Sequence, residues 1–168
     1  MSLGRRGSLY GMQKIITNLW FDTQAEEAAA FYVSVFPNSR VLGTTHYTDA
    51  GPREAGMVLT VDWELDGQRF TGINGGPEFT FSEAISLLVE CDDQAEIDHY
   101  WDALRAGGGK EGPCGWLKDR FGVSWQVVPA GMDELLGGED TERGSRAMRA
   151  MFEMKKIDVA ALRAAADG

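Results

Sequence analysis

The pentapeptide Asp22-Thr23-Gln24-Ala25-Glu26 returns seventy residues later as Asp92-Asp93-Gln94-Ala95-Glu96. Four identities in five do not by themselves establish a duplication, but the surroundings repeat as well. Each copy follows an apolar, strand-like run and opens a stretch with helical spacing. Thr23 with Glu26, and Asp93 with Glu96, have the spacing of a helix N-cap and its N3 carboxylate, which together satisfy otherwise orphaned backbone N–H groups. The chain therefore reads as two copies of one strand-to-helix plan.

Taken in order, Lys14 to Phe21 is short, β-branched and aromatic-rich, a strand ended by Asp22. Ala25, Ala28, Ala29, Tyr32 and Phe36 then recur at helical spacing until Pro37-Asn38-Ser39 stops the helix. Arg40 to Thr48 and Met57 to Leu65 predict two strands. Asp66-Gly67 is a strong hairpin signal that folds Gln68 to Ile73 back on the second of them. The first half is thus βαβββ. After Asn74-Gly75-Gly76-Pro77 the plan repeats, with a strand over Ser82 to Cys91 and a helix carrying Ile97, Tyr100, Trp101 and Leu104 that closes at Gly107-Gly108-Gly109. Short strands follow near Lys110–Glu111, Gly115–Lys118 and Val123–Val128.

Residues 130–168 have no counterpart in the first half and predict three helical pieces, over Met132–Leu136, Arg143–Met154 and Ile157–Ala166. Met148, Met151 and Phe152 share one stripe there, which favours packing over a ligand site and marks a tail docked on the body or on a partner subunit. The expected division is an unstructured extension or cloning remnant over residues 1–11, with Met12 as the natural start, a first module over 12–76, a second over 77–129 and the helical tail over 130–168.

A chain of 168 residues with 43% hydrophobic content can bury a substantial core. Its 26 acidic against 16 basic residues, a formal charge of -10, argue against a nucleic-acid face and against adhesion to anionic membranes. No apolar run approaches a membrane span. Cys91 and Cys114 lack metal or disulfide spacing and read as reduced thiols, which predicts a cytoplasmic protein.

The paired βαβββ plan, the Leu65-Asp66-Gly67 hairpin, the Ile73-Asn74-Gly75-Gly76-Pro77 loop and the run Gly115-Trp116-Leu117-Lys118-Asp119-Arg120-Phe121-Gly122-Val123-Ser124-Trp125-Gln126 resemble one known family. The chain is similar to the PhnB-like branch of the glyoxalase, bleomycin-resistance and extradiol-dioxygenase (vicinal oxygen chelate) superfamily, over roughly Met12 to Ala165. Many proteins of that branch carry the label 3-demethylubiquinone 3-methyltransferase. The resemblance implies an α+β fold of two βαβββ modules forming a curved mixed sheet around a central cleft, with a helical C-terminal tail. It does not imply one reaction, because the fold hosts lyases, isomerases, dioxygenases and drug-binding proteins. The methyltransferase label finds no support in the residues: neither Gly75-Gly76 nor Gly107 to Gly109 opens a helix after a strand, as a cofactor-binding turn of the common kind requires.

Metal-dependent members of the superfamily place ligands at the start of the first strand and on the last strand of each half. By position these fall at Ile15, at Ile85 or its neighbour Ser86, near Thr71, and at Gln126. None is His, Asp, Glu or Cys, so the resemblance leads to a metal-free pocket with no cofactor. His46 and His99 lie in different halves with no carboxylate at ligand spacing; His46 is the one candidate base near a cleft.

Alternation along the strands then sets Thr17, Leu19, Arg69, Ile73, Leu87, Ser124 and Val128 on the cavity side with Thr71 and Gln126, and turns Phe70 and Trp125 toward the helices. Polar groups on one such face need partners or water if buried, which favours an open pocket over a filled core. Trp116 stands at the rim, where it can stack on a planar ligand, cap the core or meet a second subunit. Asn74 is a rim candidate for a ligand carbonyl or hydroxyl, or a turn residue. The expected ligand-binding set is Thr17, Arg69, Thr71, Asn74, Trp116, Ser124 and Gln126. The expected function is small-molecule binding by a homodimer, with no nucleic-acid or membrane partner. The alternatives are an enzyme of the same fold, whether a metal-dependent lyase or dioxygenase or the methyltransferase of the label, and an interaction domain whose tail is the functional surface.

Overall fold

The structure is a computed structural model that describes residues 13–168, and the expected extension over residues 1–11 lies outside them. The chain divides at Phe79/Thr80 into two compact units. Each contains one four-stranded mixed sheet, and together with their helices they make an α+β protein.

The first unit runs β1 (Thr17–Phe21), α1 (Ala25–Val35), β2 (Arg40–His46), β3 (Val58–Leu65) and β4 (Gln68–Asn74). Its strand order is β1-β4-β3-β2, parallel between β1 and β4 and antiparallel elsewhere. The Asp66-Gly67 turn has positive φ at both residues, 45° and 84°, the conformation that matches the twist of a two-residue hairpin. Helix α1 turns Ala25, Ala28 and Ala29 inward, and these small side chains let it lie close on the sheet. Tyr32, Trp63 and Phe70 fill the layer behind them, Trp63 and Phe70 stacking at 5.8 Å. Gly72 has to be glycine here, because a Cβ would stand 2.9 Å from the Trp63 ring and 3.1 Å from the Cβ of Ala25.

The second unit repeats the plan as β5 (Ser86–Cys91), α2 (Gln94–Arg105), β6 (Lys110–Glu111), β7 (Trp116–Lys118) and β8 (Ser124–Pro129), in the order β5-β8-β7-β6. Helix α2 buries Ile97, Trp101 and Leu104. Asp119 holds the β7–β8 turn: its carboxylate accepts from the backbone N–H groups of Phe121 and Val123 at 2.9 and 3.0 Å, and from Trp125 Nε1 at 2.9 Å. One side chain thus closes the turn and seats the largest aromatic of the strand after it.

The tail forms α3 (Met132–Gly137), α4 (Thr141–Phe152) and α5 (Val159–Asp167), capped at α4 and α5 by Asp140 and Asp158. It belongs to the second unit. Ala147, Ile157, Leu162 and Ala166 are fully buried together, with Met151 and Met154 packed around them. The tail is tied down through Gln94, whose amide donates to Ile157 O at 3.0 Å and accepts from Val159 N at 2.8 Å. Cys114 N and Gly115 N donate to Met154 O and Lys155 O at 2.8 and 2.7 Å.

The two expected helix caps differ. In α2, Asp93 accepts from Glu96 N at 2.9 Å, and Glu96 reaches back to Asp92 N at 2.8 Å, closing the expected box one residue early. Thr23 makes no such cap. Helix α1 starts one residue later, behind Gln24, and its first free N–H, that of Ala25, is taken by Asn74 Oδ1 at 2.8 Å. A side chain from β4 does the work that the local sequence assigned to Thr23. Strands β1 and β5 are also shorter than expected, beginning at Thr17 and Ser86 rather than Lys14 and Ser82. Among the described residues no helix is long and apolar enough to cross a membrane.

Candidate functional site

The second unit holds a cavity of 860 Å³ on the face of its sheet opposite α2. Strand register decides which side chains reach it. Leu88 and Trp116 both pair with Gln126, Ser86 and Lys118 both pair with Ser124, and Glu90 pairs with Val128. Paired residues point to the same side, so Leu88, Glu90, Trp116, Lys118, Ser124, Gln126 and Val128 form the floor, and all line the cavity. Leu87, Leu117 and Trp125 share the other face. The loop before β7 contributes Pro113 and Cys114, and helices α3 and α4 supply a wall of Met132, Leu136, Met151 and Phe152.

The floor combines grease with a few polar groups. Gln126 Nε2 donates to Ser86 Oγ at 2.9 Å, which fixes the amide and leaves its Oε1 as an acceptor. Ser124 is 1% exposed, and its hydroxyl has no hydrogen-bond partner. A buried hydroxyl without a partner costs about 1 to 3 kcal/mol; its oxygen is covered by its neighbours, so a group in the cavity recovers that cost once a small shift of the floor side chains uncovers it. At the edge Lys118 bonds Glu83 at 2.5 Å and holds that carboxyl below its usual range, chiefly through the hydrogen bond. Glu111 is ion-paired with Arg105 and, at 3.3 Å, with Lys155, whose hydrogen bond is the main cause of its lowered pKa. Burial pushes the Cys114 thiol up, which makes it a poor nucleophile at neutral pH.

Of the seven residues expected to bind ligand, the cavity brings together Trp116, Ser124 and Gln126. Thr17, Arg69, Thr71 and Asn74 belong to the first unit. There Asn18, not Thr17, pairs with Thr71, while Thr17 pairs with Phe70 and Leu19 with Gly72, so Thr17 and Leu19 stand on the α1 side of the sheet. Alternation that starts at Ile15 takes its phase from a residue that precedes β1 and is 92% exposed; the strand's own phase is one residue off, and a one-residue slip exchanges the faces. The same slip in the second unit replaces Leu87 by Leu88, as the alternative position Ser86 would have required. Thr71 donates to Asp62 Oδ1 at 2.6 Å. Asn74 is fully buried with both side-chain atoms engaged, Oδ1 by Ala25 N and Nδ2 by Val58 O, which makes it an internal brace. Arg69 is exposed and pairs in register with Glu64. His46 borders a separate, shallow cavity of 470 Å³ with Tyr47 and Leu59.

Sequence reasoning missed Glu90 and the four tail residues. The correct phase of β5 finds Glu90; the Met148–Met151–Phe152 stripe points to packing, and Met151 does pack on the tail's core while also lining the cavity.

The fold family implies a divalent metal, and the donor set does not fit one. Ser86 and Gln126 are neutral and hydrogen-bonded to each other, Thr71 is bonded to Asp62, and Ile15 and Ile85 have no donor atoms. Among the described residues no three of His, Cys, Asp and Glu converge at ligand spacing. The β1–α1 and β5–α2 junctions contain no glycine, so neither offers a Gly-rich nucleotide turn.

Paired βαβββ units, each with a helix on one face of a mixed sheet, define a protein of the glyoxalase-like, vicinal oxygen chelate class. The resemblance to solved structures agrees. The PhnB protein from Bacillus cereus is 37% identical, with a TM-score of 0.62 over 70% of this chain and 100% of its own. A protein from Pseudomonas aeruginosa matches at 19% identity and a TM-score of 0.58, over 70% of this chain and 98% of its own. The fosfomycin resistance protein FosX from Listeria monocytogenes, complexed with Mn(II) and sulfate, shares the fold at 12% identity and a TM-score of 0.50, over 76% of this chain and 95% of its own. The model of the 3-demethylubiquinone-9 3-methyltransferase family matches residues 13–128, and the chain belongs to that family, its PhnB-like branch. No curated protein matches it.

Proposed function

We propose that this protein binds a small organic molecule in the cavity of its second unit and does so without a metal ion. The observation that carries the reading is the unpartnered Ser124 hydroxyl on the floor of an 860 Å³ cavity whose walls are largely apolar. That volume lies within the range of about 300 to 1,000 Å³ of small-molecule sites, and a few polar groups converging among apolar walls are their usual composition. The donor set at the family's ligand positions supports metal-free binding, and the two unpaired thiols, Cys91 and Cys114, suit a reducing, cytoplasmic setting. The protein acts as a homodimer in this reading, which light scattering on the purified chain tests.

Binding is tested by thermal shift of the wild-type protein and Ser124→Ala against a small-molecule library and a panel of divalent ions. Compounds that raise Tm in the wild type are expected to do so less in Ser124→Ala. The variant's own Tm stays level or rises, because the deleted hydroxyl has no partner to lose. A library without a single stabilising compound, or stabilisation insensitive to both Ser124→Ala and Gln126→Ala, overturns the reading. A shift of several degrees with one metal ion overturns its metal-free part.

A further inference from the structure

The charges around the cavity are unbalanced in a way that the reading above, on which this inference rests, does not use. Five carboxylates line it against two lysines. Glu83 is neutralised by Lys118, and Glu111 by Arg105 and Lys155. Among the described residues no ion pair reaches the remaining three, Glu90, Asp133 and Glu134, and Lys110 is the one unpaired cation beside them. A largely apolar cavity therefore sits within a negative rim. Such a rim repels anions and concentrates cations, and the low-dielectric walls keep the field from being fully screened.

Two features of the interior restrict the ligand further. Trp116 lies half-buried on the floor across from Gln126, and Phe152, 63% exposed, lines the same cavity from α4, so two aromatic side chains border the space a planar cation would enter. Ser124 Oγ and the free Oε1 of Gln126 call for one hydrogen-bonding group on the part that enters deepest. Asp133, Glu134, Met151 and Phe152 come from α3 and α4, while the family match ends at residue 128. Two of the three unpaired carboxylates and the apolar side chains Met132, Leu136, Met151 and Phe152 are thus contributed by a segment beyond the matched residues, while Glu90 comes from β5.

The geometry points to a planar organic cation, with an apolar ring system and one hydrogen-bonding group, as the ligand, and to Glu90 of β5 together with the C-terminal helices as what sets this preference.

The test titrates the full-length protein with three fluorescent probes of similar size: cationic rhodamine 6G, neutral Nile red and anionic 1-anilinonaphthalene-8-sulfonate. The cation is expected to bind with one-to-one stoichiometry and at least tenfold tighter than the anion. A protein of formal charge -10 attracts cations everywhere, so the place must be tested with charge reversals that change the net charge equally. Glu90→Lys is expected to weaken rhodamine binding more than tenfold. Glu26→Lys, on α1 of the first unit, changes it less than twofold. The pair Asp133→Asn with Glu134→Gln, both exposed in the first turn of α3, weakens the cation about three- to tenfold and leaves Nile red unchanged, the unchanged neutral probe showing that the wall is still folded. Equal losses from Glu90→Lys and Glu26→Lys, or a neutral or anionic probe that binds as tightly as the cation, overturn the inference while the cavity still binds small molecules. If none of the three probes binds, this inference falls, and the small-molecule reading is decided separately by the thermal-shift library.

Discussion

Asn74 shows how far a side chain's role can lie from its local pattern. Before Gly75-Gly76 it has the look of a turn residue or a rim donor, yet it faces the interior and bridges Ala25 N to Val58 O. Those two contacts join the N-terminus of α1 to β3, so one amide organises three elements. Asn74→Ala leaves a buried donor and acceptor unsatisfied and removes a helix cap, a loss of about 2 to 4 kcal/mol; urea unfolding with an unchanged m-value measures it. Thr23→Ala, where the sequence alone predicts the cap, is expected to change stability by less than about 0.5 kcal/mol. Cys91 is a second such case. Burial, reinforced by Glu96, Asp92 and Asp93, pushes its thiol from an ordinary 9.0 to about 12. Its folded pKa is raised, so the native thiol keeps its proton where the unfolded one has lost it. Stability is therefore unaffected below pH 9 and falls as pH rises from there toward 12, at no more than about 1.4 kcal/mol per pH unit. Cys91→Ala should flatten that decline in alkaline denaturation.

The elements themselves were largely legible. Both βαβββ plans, the Asp66-Gly67 hairpin and three tail helices follow from periodicity and turn residues, because these are local signals. What was not legible was phase. Ile15 and Ile85 look like strand residues by composition, but β1 and β5 begin after them, and alternation counted from Ile15 puts Thr17 and Leu19 on the wrong side. Pairing between strands sets the phase, and a single strand's composition carries no record of its partner. The tail's destination was equally hidden. Gln94 belongs to the repeated pentapeptide and reads as a helix-opening residue, whereas its amide holds Ile157 and Val159, sixty-three and sixty-five residues on. Gln94→Ala is expected to loosen α5 specifically. Hydrogen exchange there should speed up by about ten- to hundredfold, the equivalent of 1.4 to 2.7 kcal/mol, with β1–β4 unchanged. Acid should act at the same seam, since Asp98, lowered first by its hydrogen bond from Lys156 and then by Gln94, holds that link above its ordinary 3.8 and loses it as pH falls further.

The two units carry one plan to different ends. In the first, the polar groups of the sheet face opposite α1 satisfy one another: Thr71 bonds Asp62, Thr45 bonds Thr60, and Arg40 lies 3.8 Å from Glu64. In the second, the equivalent face keeps an unpartnered serine and a cavity, and the tail adds a wall to it. The two sheets carry one plan, and under the proposed binding reading the ligand-facing role falls to the second of them. Ligand binding should therefore act unequally along the chain. At a hundred times Kd a ligand stabilises by about 2.7 kcal/mol every opening that destroys its site, and none that leaves it intact. With saturating probe, hydrogen exchange is expected to slow about a hundredfold in β5, β7, β8, α3 and α4. Amides of β1 to β4 slow only through openings shared with the second unit, so the ratio between the two sets measures how far the units unfold together. Equal slowing everywhere means one cooperative molecule. Slowing confined to the first unit would place the ligand there and contradict the assignment of the site to the second.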